Sequence, residues 1–262
     1  MNLNLEGRVA LVCGASKGMG LACAQALAQH GAKVLMVARD PSALDAAMKT
    51  IADTGGLVAG YVGDVQHPDV AQLSVDRCKE LWGAVDILVN NAGGPPMGSL
   101  LELDSSAWES AIQTNLLSIV RFCKAVVPEM KAKSWGRIVS ITSTLAKEPS
   151  PAMVLSATTR AGVAAFSKAL AIELAEFNIS VNVICPGGVL TDRLVSLLHA
   201  RAEREKRDYK DILLESQGSI PAKRFAHPQE IADVILFLAS ESGAYVNGVS
   251  LSVDGALTRA YS

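Results

Sequence analysis

Residues 8–20 read RVALVCGASKGMG, and residues 21–30 continue LACAQALAQH. An apolar run of strand length enters a glycine-rich turn, and an Ala-rich segment with helical patterning leaves it. The spacing predicts a strand over 8–13 and a helix over 19–30. Between them, Gly14, Gly18 and Gly20 form G-x-x-x-G-x-G. Small residues let a backbone approach a pyrophosphate, and a helix N-terminus stabilises its charge. Gly14, Ser16, Lys17, Gly18, Met19 and Gly20 are therefore candidate cofactor contacts. The plain alternative is an ordinary strand–helix turn. The position at the first strand, ahead of six further predicted strands, favours dinucleotide binding.

The same alternation runs through the rest of the chain. Further strands are expected at 33–38, 57–62, 86–90, 137–142, 179–184 and 249–253, and helices at 42–53, 70–82, 105–133, 152–177 and 230–240. Residues 191–226 read as a mobile insertion, expected to act as a lid over the substrate. Alternation of this kind argues for an α/β, Rossmann-type doubly wound sheet of about seven parallel strands with helices on both faces. No linker, repeat or low-complexity tract divides the chain, so 1–262 is expected to be one domain. The Gly-Gly-Pro-Pro cluster at 93–96 reads as an active-site loop, or else as a simple turn.

Bulk composition agrees with that architecture and narrows the function. Half of the 262 residues are hydrophobic but only 5% are aromatic, so the core must be aliphatic, as buried parallel strands prefer. Mean hydropathy is +0.27 and the isoelectric point about 6.1. A net charge of −2 gives no basic surface for nucleic acid or anionic lipid. No apolar run is long enough to span a bilayer, and the opening MNLNLEGR lacks a signal-peptide layout. Cys13, Cys23, Cys78, Cys123 and Cys185 are odd in number and unclustered, and they read as free core thiols in a reducing compartment. His30, His67, His199 and His227 have no metal-like spacing, so no metal is expected. The chain is expected to be cytoplasmic.

The second predicted strand ends Val37-Ala38-Arg39. An NAD-preferring site usually carries an acid near there for the ribose 2′-hydroxyl. Here Arg39, with Lys17 beside the same pocket, could pair with a 2′-phosphate instead. The expected cofactor is NADP(H).

Several further segments stand in order along the chain: Gly63-Asp64-Val65, Asn90-Asn91-Ala92-Gly93, Asn115, Ser143, Pro186-Gly187-Gly188-Val189-Leu190-Thr191-Asp192, 220–225 (IPAKRF) and Val253-Asp254-Gly255. With the glycine motif they make the sequence, from about residue 5 to 254, resemble the short-chain dehydrogenase/reductase family. The resemblance implies that Asp64 and Val65 meet the adenine and that Asn91, Ala92 and Gly93 line the cofactor. It implies that Pro186, Gly187, Val189 and Thr191 meet the nicotinamide amide. Asn115 falls at the family's structural Asn and Ser143 at its catalytic Ser. It also implies a homotetramer, for which small residues such as Ala161, Gly162, Ala164 and Ala165 suit close helix contact across a two-fold axis.

The family's Tyr proton donor, four residues before a Lys, is missing. The tyrosines are Tyr61, Tyr209, Tyr245 and Tyr261. One alignment places Leu155 and Thr159 at the two catalytic positions. The other matches Arg160-Ala161-Gly162-Val163 to the family's K-A-G-V. Spacing from Ser143 and to Asn182 selects the second, so Ser156 replaces the Tyr and Arg160 the Lys, as in a divergent subgroup with L-S-x-x-x-R. A Ser hydroxyl is a far weaker acid than a phenol, and Arg cannot bring it near neutrality. Arg160 can still hold the nicotinamide ribose, and Ser143 can still donate to a carbonyl oxygen. Lys147, four residues past Ser143, could serve as the acid, or be a plain surface Lys. Tyr209 could swing in from the lid, though a solvent-facing role suits it better. Residues 201–211 carry five basic and four acidic side chains. They could recruit an acyl-CoA or carrier-protein substrate, but an exposed charged helix is the preferred interpretation.

The expected function is reduction of a ketone or aldehyde, with a 3-oxoacyl thioester among the candidates, by an NADPH-dependent enzyme with an altered proton relay. The alternatives are a catalytically impaired NADP(H)-binding or regulatory protein, and a non-redox lyase or isomerase on the same fold. The expected partner is a small-molecule carbonyl substrate, with no nucleic acid and no membrane.

Overall fold

The computed structural model describes residues 3–260; Tyr261 lies outside the described residues. Seven strands form one sheet: β1 (Val9–Cys13), β2 (Lys33–Ala38), β3 (Val58–Val62), β4 (Ile87–Asn90), β5 (Gly136–Ile141), β6 (Ile179–Pro186) and β7 (Ser250–Val253). Their order is β3-β2-β1-β4-β5-β6-β7, and every neighbouring pair is parallel. The helices between them are α1 (Gly18–Gln29), α2 (Pro41–Ala52), α3 (Val70–Leu81), α4 (Ser105–Ile112), α5 (Ser118–Lys133), α6 (Val154–Leu174), α7 (Asp192–Glu205), α8 (Tyr209–Ser219) and α9 (Pro228–Ala239).

Period-two alternation splits each central strand between two cores. Ala10 and Val12 of β1 join Val34 and Met36 of β2 under α1, α2 and α9. Val9, Leu11 and Cys13 join Leu35 and Val37 under α3, α5 and α6. The sheet is covered on both faces, which is why its strands are almost continuously apolar. The five cysteines are free and buried, as their spacing implies. No helix among the described residues is long and apolar enough to cross a membrane.

Two segments differ from the sequence expectation. The helix expected over 105–133 is continuous but passes through a π-helical turn at Gln113–Leu117 between α4 and α5. The 191–226 segment folds into α7 and α8, capped by the Thr191 and Asp208 side chains. It has a small apolar cluster of its own, built from Leu198, Ala202, Ile212, Ile220 and Phe225. Its charges are largely internal: Arg201 and Arg207 both pair with Glu205 and Glu215.

The N-terminal edge of the sheet carries a buried charged brace. Arg137, on β5, has no solvent exposure. Its guanidinium donates to the carbonyls of Gly136 and Asn178 and lies 3.7 Å from Glu241. The Trp135 ring carries both Arg137, 4.4 Å from the ring centroid, and Arg8, at 3.7 Å. Its indole N–H donates to Glu241 at 2.8 Å. Burial lowers the Arg137 pKa; the Glu241 carboxylate opposes the shift and Arg8 adds to it.

Candidate active site

The strand order reverses direction at β1, between β2 and β4, and a doubly wound sheet opens its ligand crevice at such a switch point. The glycine loop lies there. Gly14 and Gly18 have φ of +57° and +56°, a region costly for a residue with a Cβ. A Cβ on Gly20 would stand 2.2 Å from the Gly14 carbonyl oxygen, so the loop closes only with glycine. Asn91 fastens the loop from β4 by donating Nδ2–H to that same oxygen at 3.1 Å. No side chain caps the first turn of α1 and no acid lies within it, so its N–H groups are free for an anion. The Ser16 hydroxyl and Lys17 ammonium have no partner among the described residues. The crevice therefore fits a dinucleotide pyrophosphate.

Arg39 stands at the end of β2 with its side chain 73% exposed, 3.5 Å from the Asp64 carboxylate. Asp64 also accepts from the Gln66 N–H. The expected adenine and 2′-phosphate contacts thus sit together at one end of the crevice. Val65 lines the same small cavity as Asn91 and Ala92.

At the other end, Ser143 follows β5 and caps a short turn, accepting from the Leu145 N–H at 3.2 Å. Its own O–H has no acceptor among the described residues. That turn packs against α6, where the Arg160 Nε–H donates to the Ser156 hydroxyl at 2.9 Å. The residues of the other alignment turn away: Leu155 is in the core, and the Thr159 hydroxyl bonds back to the Leu155 carbonyl. Burial, with Arg193 adding to it, lowers the Arg160 pKa to about 10, while Cys185 opposes the shift. Arg160 nonetheless stays charged at neutral pH. Lys147 ends the turn after Ser143 and is half-buried, its ammonium unpartnered among the described residues. Burial raises the pKa of the Cys185 thiol near the end of β6, and the Thr142 hydroxyl and the charges of Lys147 and Arg160 oppose the shift.

Asn115 sits in the π-helical turn. Its Nδ2–H donates to the Gly93 carbonyl at 2.8 Å, and its buried Oδ1 has no partner. The π turn supplies the extra residue that sets this side chain against the loop after β4. Past β6, the N–H of Gly187 donates to Val253, and Val189 pairs with Ala226. Thr191 caps α7 and sets its methyl group near Gly18, joining this segment to the phosphate loop. Tyr209 is stacked on His199, with ring centroids 4.1 Å apart. No metal-binding group of His, Cys, Asp or Glu occurs among the described residues.

Sequence reading missed Arg193. Its guanidinium donates to the Pro95 carbonyl at 2.9 Å, tying α7 to the loop after β4. Nothing local marks it; only the fold brings 193 to 95.

Comparison with known proteins agrees with this architecture. The short chain dehydrogenase family pattern matches residues 8–202. The 3-oxoacyl-[acyl-carrier-protein] reductase of Vibrio cholerae is 36% identical over 255 residues, covering 97% of this chain and 99% of the relative. An Escherichia coli oxidoreductase is 34% identical over 257 residues, covering 97% and 95%. Among solved structures, a variant of the actinorhodin polyketide ketoreductase with NADPH superposes with a TM-score of 0.93 at 32% identity, covering 97% of this chain and 98% of that one. L-sorbose reductase from Gluconobacter frateurii, complexed with NADPH and L-sorbose, gives 0.94 at 32%, covering 99% and 100%. With the family pattern spanning most of the sheet and full-length relatives above 30% identity, the chain belongs to the short-chain dehydrogenase family.

Proposed function

We propose that this chain is an NADPH-dependent oxidoreductase that reduces a ketone or aldehyde through a proton relay without the family's tyrosine. The observation that carries the reading is the Ser143–Ser156–Arg160 arrangement. Ser143 keeps a free O–H for a carbonyl oxygen, while the serine at the tyrosine's place is bonded to the arginine at the lysine's place. NADPH, when bound, supplies the hydride. Gly14, Gly18, Gly20 and the α1 N-terminus hold its pyrophosphate, Arg160 its nicotinamide ribose, and the 186–191 segment its amide. Ser143 polarises the carbonyl, and Asn115 positions the Gly93 loop and keeps one buried acceptor for a water. Lys147 supplies the proton, either directly or through a water held by Ser156.

The test is NADPH oxidation against a panel of ketones, aldehydes and 3-oxoacyl thioesters, run beside cofactor binding by fluorescence. Turnover supports the reading. Tight NADPH binding with no turnover across the panel overturns it in favour of a binding or regulatory role.

Cofactor choice rests on Arg39 and Lys17. Arg39→Ala is expected to weaken NADPH binding about tenfold and to leave NADH binding nearly unchanged, because the guanidinium meets only the 2′-phosphate. Equal losses for both cofactors would refute that role. The Arg39–Asp64 pair is exposed and 3.5 Å long, so exchanging it for a phosphate contact costs little.

We further propose a cytoplasmic homotetramer. Ala161 and Ala165 are exposed on α6, and Ala161 lines an apolar groove together with Val154, Ala157 and Thr158. Light scattering that returns the 27.5 kDa monomer at micromolar concentration would count against it.

A further inference from the structure

Arg160 and Arg193 face one another across Gly94. A side-chain carbon built on Gly94 would lie 3.8 Å from an Arg160 nitrogen and 3.7 and 3.9 Å from two Arg193 nitrogens. Glycine leaves that space open, and the adjoining Gly93 has nothing within 4 Å of its own would-be side chain. Neither guanidinium has a carboxylate partner among the described residues. Arg160 spends its Nε–H on Ser156, and Arg193 spends one N–H on Pro95. Like charges gathered around an open space without a counter-ion make an anion site, and paired guanidinium forks suit a carboxylate.

The pyrophosphate has its own place at the glycine loop and α1. The space over Gly94 is on the other side of Arg160, whose Nε–H bonds the Ser156 hydroxyl while a terminal nitrogen faces Gly94. We infer that the substrate is an oxo acid whose carboxylate, a few bonds from the reducible carbonyl, is held by Arg193, while Arg160, committed to Ser156 and the nicotinamide ribose, adds its positive charge from the other side of Gly94. This rests on the reductase reading above and assigns its substrate class. A neutral ketone or a thioester would leave Arg193 unanswered.

The experiment uses the full-length chain with NADPH and compares 2-oxo, 3-oxo and 4-oxo acids of four to eight carbons with their methyl esters. The acid is expected to exceed its ester in kcat/KM. Arg193→Gln should cut that acid-to-ester ratio by about 10- to 100-fold while the NADPH dissociation constant stays within about twofold. Equal kcat/KM for acid and ester overturns the inference. So does an Arg193→Gln variant that loses NADPH affinity and keeps the ratio, because Arg193 would then serve the cofactor. If nothing is turned over, calorimetry of the same acids on the NADP+ complex separates the two claims. Acid binding that Arg193→Gln abolishes supports the carboxylate site and sinks the reductase reading, whereas no acid binding sinks the carboxylate site.

Discussion

Replacing Ser156 by Tyr and Arg160 by Lys together is expected to raise kcat for a neutral ketone by about 10²–10⁴-fold, the usual contribution of a dedicated general acid. A phenol beside an ammonium has a pKa drawn down from about 10 toward neutrality. Ser156 is only 3% exposed and bonded to Arg160, so the phenol needs the space that the slimmer Lys releases. Ser156→Tyr alone should therefore crowd the site and gain little. The double variant should also acquire a pH–rate limb that falls as pH rises through the phenol pKa, since the acid must be protonated to act. In the parent protein, Lys147→Met should lower kcat by a similar factor and leave NADPH affinity intact. No gain in the double variant, together with no loss in Lys147→Met, would mean that the pocket does not present a carbonyl to the nicotinamide.

The second large effect concerns the far edge of the sheet. Glu241→Ala should destabilise the fold by about 3 kcal/mol, because Arg137 would be left with no counter-charge and the Trp135 indole N–H with no acceptor. For a chain of this size that corresponds to a fall in Tm of about 6–12 °C. Glu241→Gln should lose less, since its amide oxygen can still accept from Trp135. Thermal and denaturant unfolding of the two variants checks this, and a loss below about 1 kcal/mol for the alanine variant would show that solvent replaces the carboxylate.

The sheet was legible in the sequence because parallel strands covered on both faces are short apolar runs between Ala-rich helical stretches, and each strand falls within a residue or two of its expected place. The π turn was not legible. An extra residue at 113–117 leaves the apolar period of 105–133 nearly intact, and the turn is held by the long-range Asn115–Gly93 bond. Helices α7 and α8 had signals that the charge density of 201–211 obscured. Thr191 precedes a Leu194, Leu198, Ala202 stripe, and Asp208 stands just before α8. The pairing of Ser156 with Arg160 was legible, since residues four apart on a regular helix share a face, where the structure has them hydrogen-bonded. That of Arg193 was not, because its partner is 98 residues away. The Arg8–Trp135–Arg137–Glu241 brace likewise joins distant segments that look like ordinary surface charges one at a time.

The five buried cysteines have a consequence of another kind. Burial raises every one of their thiol pKa values, to about 12 for Cys23, Cys78 and Cys123. The reactive thiolate is therefore scarce at neutral pH. The native protein is a poor target for alkylating reagents and peroxide, and the thiols become available when the chain opens. Labelling kinetics thus act as an internal clock for unfolding. Cys185, bonded to the Thr142 hydroxyl at 3.3 Å, and Cys13, lining a small cavity with Asn91 and Ala92, stand closest to the reaction crevice, so occupancy of that crevice should slow these two thiols while the other three keep the rhythm of the whole fold.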